Sequence, residues 1–386
     1  MQKKNISIDY GIVIILFLFF VISLIAVYSG SGQYAQTEPF FFVLRQVVWY
    51  VVGILVMIGA AYFDYELLER WALPLYLSGI FLLVLVHFFG TTKNGSQRWI
   101  HLGVFDLQPS EFVKIFLILY LAVLLKKYGK SQLDLKASLV LTGKILLVTM
   151  VPFVFVFVQP DLGSSLIILV IALTLIIVSH ISYKVILILI TAFGACLAFL
   201  VFTFTYLNNV FEKLLKPHQL ERIYGWLNPG EYASNFGYQL YQARMGIGSG
   251  QLTGNGFNQG QQVQQGKIPE AHTDFIFAVI GEEFGFLGAS ILVLLYFLLI
   301  YRIIRVAFQS ETFFGVYICV GVVALIAFQV FQNIGMTIGV MPITGITLPL
   351  VSYGGSALLT NMLAIGIVFS VQIRSSKEYL FREKAL

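Results

Sequence analysis

The chain alternates between continuous apolar runs and short polar breaks. The runs extend for about 20 residues, the length a helix needs to cross a hydrocarbon core. Strands of a membrane barrel would instead alternate apolar and polar residues one by one. Ten such runs can be marked, at roughly 10–29, 44–63, 71–89, 111–126, 138–157, 162–179, 184–206, 274–300, 312–335 and 347–371. The pattern predicts an all-α integral membrane protein of about ten transmembrane helices. Residues 1–386 then form one polytopic domain, with a large loop, 207–273, between helices seven and eight.

Ten is even, so both termini share a side. With the termini inside, the inner segments carry Lys3, Lys4, Arg70, Lys126, Lys127, Lys130, Lys136, Lys184, Arg302, Arg305, Arg374, Lys377, Arg382 and Lys384. The short outer loops carry only Lys93 and Arg98. That asymmetry predicts cytoplasmic termini. It places the 90–110 segment, the 158–161 turn, the 207–273 loop and the 336–346 loop on the outer face. The inner loops are short and basic and hold no recognisable motif. A nucleotide-binding P-loop pattern is absent from the chain.

Composition agrees. The chain is 58% hydrophobic and 11% charged, against about 25% charged in a soluble domain; its mean hydropathy is +0.87. The first run is longer than a signal-peptide core and reads as an uncleaved span. Cys196 and Cys319 both lie in apolar runs and read as packing residues. No His, Cys and Asp cluster has metal-ligand spacing, and no internal or inverted repeat supports a secondary transporter.

The polar breaks carry the chemistry. Residues 90–110 are turn-rich around Arg98–Trp99, with Trp99 suited to the membrane interface. Glu111 and Lys114 follow Pro109 and Ser110, three apart on one helix face and able to pair. The same ammonium at a helix start would suit an anion. Asp161 is placed to cap the next helix. In the long loop, Leu214, Leu215, Leu220, Ile223, Trp226 and Leu227 predict a short amphipathic helix. Gly246-Ile-Gly-Ser-Gly250, with Ser249 and nearby Arg244, reads as a Gly-rich turn able to hold a phosphate through backbone N–H groups. In 336–356, glycines and prolines break an apolar run. Irregular backbone at that depth is tolerated only against protein or a wet cavity, so this segment, Ser352 included, should line a site.

The polar loop runs into apolar sequence at His272-Thr273-Asp274. If 274–300 is helical, Glu282 and Glu283 lie about 12 Å deeper than Asp274. Carboxylates at such depth cost a few kcal/mol unless paired, hydrated or protonated. Either Glu can serve as a hydrogen-bonding tie between helices or as part of a site. Asp274 can be a helix cap or a catalytic base. Gly281 and Gly285 form a G-x-x-x-G spacing that admits a close neighbour.

Taken together the motifs resemble the shape, elongation, division and sporulation (SEDS) family of RodA, FtsW and SpoVE. The resemblance spans the chain. It rests on Arg98–Trp99, Gln108-Pro-Ser-Glu111 with Lys114, Gln159-Pro-Asp-Leu-Gly163, Gly246-Ile-Gly-Ser-Gly250, His272-Thr-Asp-Phe-Ile276 with Gly281-Glu-Glu283, and Pro342-Ile-Thr-Gly345 through Pro349-Leu-Val-Ser-Tyr-Gly-Gly-Ser356. The compact ends and Ile8-Asp9-Tyr10 are most similar to RodA. The resemblance implies a peptidoglycan glycosyltransferase that polymerises lipid II at the outer face of the bacterial cytoplasmic membrane. It implies Asp274 as the catalytic residue and a class B penicillin-binding protein as partner. Arg98, Glu111, Lys114, Arg244, Ser249, His272, Thr273 and Ser352 become candidate substrate contacts. Asp161, Glu282 and Glu283 are structural residues or further site residues. A divalent cation, Mg or Mn, is an additional candidate at the pyrophosphate. Two other classes fit the same residues: a lipid II flippase using Glu282, Glu283 and the Glu111–Lys114 pair as a polar path, and a non-catalytic scaffold that recruits a transpeptidase.

Overall fold

The computed structural model describes residues 8–32, 40–93, 96–101, 103, 106–128, 132–207, 211, 217–232, 234 and 237–382. Lys3, Lys4, Lys130, Lys384, Leu214 and Leu215 lie outside the described residues. Helices α1 (Tyr10–Gly30), α2 (Phe41–Tyr62) and α3 (Leu67–Phe89) lead into three short strands, β1 (Thr91–Lys93), β2 (Ser96–His101) and β3 (Asp106–Leu107). Then come α4 (Pro109–Lys126), α5 (Leu135–Val158), α6 (Leu162–Val178) and α7 (Tyr183–Tyr206). The long loop holds α8 (Pro217–Leu227), α9 (Tyr238–Ser249) and α10 (Gln261–Gln264). The chain ends in α11 (Ile276–Gln309), α12 (Phe313–Ile338) and α13 (Gly355–Arg382).

Each of the ten expected apolar runs coincides with one long helix. Among the described residues, eight helices are long and apolar enough to cross a membrane, and α6 is apolar but shorter. Helix α4 carries Glu111, Lys114 and Lys126 and falls outside that set. The chain is a multi-pass membrane protein.

Local chemistry sets the helix starts. Asp9 accepts from the Gly11 N–H at 2.8 Å and caps α1, while Arg302 of α11 grips the same carboxylate at 3.0 and 3.1 Å. Asp134 caps α5 and Thr312 caps α12 in the same way. Pro109 opens α4, where a missing N–H costs nothing. Gly339, with φ 86°, closes α12 in the left-handed conformation.

Three expectations change. The 90–110 segment is not only turns. It forms a three-stranded antiparallel sheet in the order β1-β2-β3, pairing Thr91 with Trp99 and Ile100 with Leu107. The last helix begins at Gly355 rather than near 347, because residues 341–354 stay irregular. Asp274 lies outside α11, which starts two residues later at Ile276.

Helix α11 is also broken. Gly285 has φ 61° and ψ −160°. A break inside an apolar segment frees backbone groups that lipid cannot satisfy. The loop supplies their partners. Asn255 and Gly256 donate N–H groups to the carbonyls of Glu282 and Glu283 at 3.0 and 3.1 Å. The N–H groups of Phe286 and Leu287 donate to Gln251 and Leu252 at 2.9 and 3.1 Å. Helix α11 and residues 251–256 thus form one hydrogen-bonded unit.

Candidate functional site

A cavity of about 1000 Å³ opens beside Asp274. Its walls come from far-apart parts of the chain: α2, the β2–β3 sheet, the first turns of α4 and α6, Arg222 of α8, residues 270–274, and the irregular stretch 344–357. One wall is apolar. Leu44 and Val48 of α2 are exposed there beside Trp49. The opposite wall is polar, with Arg98, Asp161, Arg222, Glu270 and Asp274.

Backbone hydrogen bonds hold Asp274 in place. Asn333 of α12 is fully buried. Its side-chain amide donates to the Asp274 carbonyl at 2.8 Å and to the Ile346 carbonyl at 2.7 Å. Ser352 donates to the Thr273 carbonyl at 2.6 Å and accepts from the Leu348 N–H at 2.8 Å. The Tyr353 N–H donates to the His272 carbonyl at 2.9 Å. Glu270, at φ 53°, closes the preceding turn, receiving the N–H groups of Thr273 and Phe275 on its carbonyl. The Thr273 hydroxyl donates to the Glu270 carboxylate at 3.0 Å. The residue capping α11 is Phe275, with no side-chain cap bond, so Asp274 does not serve as a cap.

The surroundings raise the Asp274 carboxyl to about 7. Removal from water is the main cause, since it disfavours the charged form. The negative charge of Glu270 adds to it, and Arg98 and Arg222 oppose it. Glu270 also favours the protonated form of His272, but burial outweighs it and lowers that imidazole. His272 is a cavity wall residue whose ring packs on Phe42 and Tyr353, with centroids 4.7 and 5.6 Å away.

The other expected site residues fall into three groups. Arg98 lines the cavity but is committed to the turn before α6. Its Nε donates to Gln159 O at 3.0 Å, Nη2 donates to Pro160 O, and Nη1 lies 3.7 Å from Asp161. Asp161 is the cap of α6, accepting from Ser164 N at 3.0 Å, as expected. Glu111 reaches the cavity wall and pairs with Lys114 at 2.7 Å. Lys114 itself is 1% exposed and does not line the cavity.

Arg244 and Ser249 lie outside the cavity. The expected phosphate-holding turn is instead the end of helix α9. The Gly250 N–H is taken by the carbonyls of Gly246 and Ile247, and Ser249 donates back to Gly246 O at 2.7 Å. A helix C-terminus presents carbonyls and repels anions. The glycines serve close packing: a Cβ on Gly250 would collide with the Gly281 carbonyl, and one on Gly254 with that of Glu283.

Glu282 and Glu283 are structural ties. Glu282 is fully buried and accepts from Gln262 N at 2.8 Å and Val263 N at 3.1 Å, satisfying the start of α10. Glu283 accepts from Ser29 of α1 and from Gln264 at 3.4 Å. Three important residues were missed by sequence reasoning. Glu270 and Arg222 sit in a loop whose path to the cavity the sequence does not reveal. Asn333 lies in a run read only as apolar, although a buried Asn in a span needs a polar partner, and that signal was available.

Among the described residues no group of three or more His, Cys, Asp or Glu side chains could hold a metal ion. Asp161, another acid of the cavity wall, is already engaged by Ser164, Arg98 and Gln108. The described residues alone therefore offer no preformed metal cage.

A family model described as "Cell cycle protein", named for FtsW, RodA and SpoVE, matches residues 10–377. Stage V sporulation protein E of Bacillus subtilis is 35% identical over 378 residues, 96% of this chain and 98% of the relative. Peptidoglycan glycosyltransferase MrdB of Escherichia coli K12 is 35% identical over 367 residues, 95% of this chain and 94% of the relative. The two identities are equal, so they do not divide the branches of the family. A solved structure described as "Structural coordination of polymerization and crosslinking by a peptidoglycan synthase complex" superimposes with a TM-score of 0.77 at 28% identity, covering 96% of this chain and 98% of that one.

Proposed function

The chain belongs to the FtsW/RodA/SpoVE family, and from that premise we propose that it is a peptidoglycan glycosyltransferase polymerising lipid II at the outer face of the bacterial cytoplasmic membrane. The observation that carries the reading is Asp274: a carboxyl raised to about 7, on the polar wall of a cavity whose α2 wall is mostly apolar. An amphipathic substrate fits such a cavity, with its polyprenyl chain along the exposed side of α2 and its sugars against the polar wall.

Asp274 accepts the proton of the acceptor GlcNAc 4-hydroxyl. That oxygen bonds to the anomeric carbon of the donor MurNAc with inversion, the bond from that carbon to the phosphate oxygen breaks, and undecaprenyl pyrophosphate leaves. A base with a pKa near the working pH is well matched to this step, and a positioned base contributes roughly 10²–10⁴ in rate. Positioning by the Asn333 and Ser352 hydrogen bonds supplies part of the rest. A divalent cation remains a candidate at the pyrophosphate. Its ligands would come largely from phosphate oxygens and water, the usual habit of Mg²⁺, and no step is routed through it.

The flippase reading loses support because Glu282, Glu283 and Lys114 are engaged in packing hydrogen bonds rather than lining a path. The cytoplasmic location of both termini rests on the basic-residue asymmetry. A class B penicillin-binding protein is the proposed partner, in keeping with the complex that the fold resembles.

The test is polymerisation of labelled lipid II by purified protein, with and without a cognate class B penicillin-binding protein, resolved on gels beside Asp274→Asn. Glycan ladders from wild type and none from the variant are expected. Ladders of equal yield from the variant would remove Asp274 from the reaction. Transport of lipid II across liposomes without ladders would establish the flippase instead.

A further inference from the structure

A leaving pyrophosphate needs a cation, and the cavity holds few that are free to serve. Arg98 spends its guanidinium on the carbonyls of Gln159 and Pro160 and on Asp161. Lys114 is locked on Glu111, away from the cavity surface. Arg45 of α2 also lines the cavity, but it is exposed and sits over the Phe41 ring, 4.5 Å from its centroid. Arg222 differs in being half-buried: it lines the cavity and makes no hydrogen bond, ion pair or ring contact among the described residues.

Helix α8 fixes that position. Trp226, four residues on, donates its indole N–H to the Gly339 carbonyl at 2.9 Å, docking the helix on the end of α12. The same helix turn packs Tyr224 against Phe204 of α7 and against Tyr232. Residues four apart share a helix face, so the Trp226 anchor and Arg222 belong to one docked side. The guanidinium is placed where Asp161, Asp274 and Arg98 all act on it. A half-buried guanidinium with no acceptor is costly, and a ligand carrying adjacent anionic oxygens would remove that cost through bidentate bonds.

We infer that Arg222 of the long loop is the receptor for the diphosphate of the lipid-linked donor. This inference rests on the glycosyl-transfer reading above. Both substrates carry a diphosphate, and the geometry selects the donor's. Asp274 marks the bond being made; the donor's diphosphate is attached to that very carbon, whereas the acceptor's lies a disaccharide away. Charge that develops on the departing oxygen then meets a fixed guanidinium. The loop becomes part of the reaction centre rather than a cover over it.

The experiment compares wild type, Arg222→Gln and Arg222→Lys, each first checked for monodisperse elution in detergent. Initial rates are measured against lipid II concentration, and inorganic pyrophosphate is titrated as an inhibitor. For Arg222→Gln the expected result is a loss in kcat/KM of roughly tenfold to hundredfold, the range of one charge-assisted hydrogen bond, with a similar loss of pyrophosphate inhibition. Arg222→Lys should recover part of both. Lipid II blocked at its 4-hydroxyl can act only as donor, and its incorporation should fall in parallel. Unchanged kcat/KM and pyrophosphate sensitivity in Arg222→Gln would overturn the assignment. So would a loss of activity that leaves pyrophosphate inhibition intact. If wild type makes no glycan, the catalytic reading fails. Pyrophosphate-dependent thermal stabilisation of wild type but not Arg222→Gln would then still support the site, and equal stabilisation would reject it.

Discussion

The buried side-chain amide of Asn333 bridges the carbonyls of Asp274 and Ile346, at 2.8 and 2.7 Å. One residue of α12 therefore ties the backbone of Asp274 to the irregular wall that faces it. Asn333→Leu would leave both carbonyls without their donor, and each buried unsatisfied group costs about 1–3 kcal/mol. Lipid II polymerisation by this variant should fall about ten- to a hundredfold in kcat with a smaller change in KM. Asn333→Asp should not rescue it, because a carboxylate cannot donate.

The rate of polymerisation should follow the ionisation of Asp274. As the proposed base, Asp274 acts only when deprotonated, and its carboxyl is raised to about 7. Activity should therefore climb as pH rises through about 7, and fall about tenfold per unit well below it. Glu270→Gln removes a neighbouring negative charge that favours the protonated form. Its acid limb should move to lower pH. A profile measured from pH 5 to 9 with and without that substitution decides the matter; an unmoved limb would separate Glu270 from the titration.

Glu282 should matter to stability rather than chemistry. Its carboxylate receives the N–H groups of Gln262 and Val263. Glu282→Ala strands both donors in a buried site, a cost of about 1–3 kcal/mol each. Glu282→Gln keeps one acceptor oxygen and should cost less. Thermal unfolding in detergent should rank the two variants in that order. Any surviving folded Glu282→Gln protein should polymerise at close to the wild-type rate.

Gly254 combines two demands. Its φ is 84°, and a Cβ would collide with the Glu283 carbonyl. Gly254→Ala should separate the loop from the break in α11 and lower the yield of folded protein sharply. Gly143, whose Cβ would meet nothing within 4 Å, supplies the control: Gly143→Ala should fold normally. Monodisperse yield after extraction is the measurement.

Much of this architecture is legible in the sequence because lipid imposes simple rules. A helix must be apolar for about 20 residues, so the ten runs coincide with long helices even where their ends are off. The cap at Asp161 and the pair Glu111–Lys114 are short-range and follow from spacing alone. What spacing does not convey is which backbone meets which. The run 246–250 has the letters of an anion-binding turn. Its Gly250 is set by the approach of the Gly281 carbonyl, and its Gly246 faces the Glu282 carboxylate, both more than thirty residues away. Asp274 could be singled out as an acid at a polarity boundary. Its partners Asn333, Glu270 and Arg222 come together only once α12 and the loop are folded around it.

The laced break in α11 bears on how the chain is made. Residues 251–256 are synthesised before the segment they complete, and the backbone groups around Gly285 have no partners until that strip docks. The upper turns of α11 therefore cannot settle as a lone inserted hairpin. Their insertion waits on a piece of chain already delivered to the aqueous side. A truncation or tag within 250–264 should accordingly register first as failed biogenesis, with degradation of an otherwise correctly translated protein, before any defect in turnover can be seen.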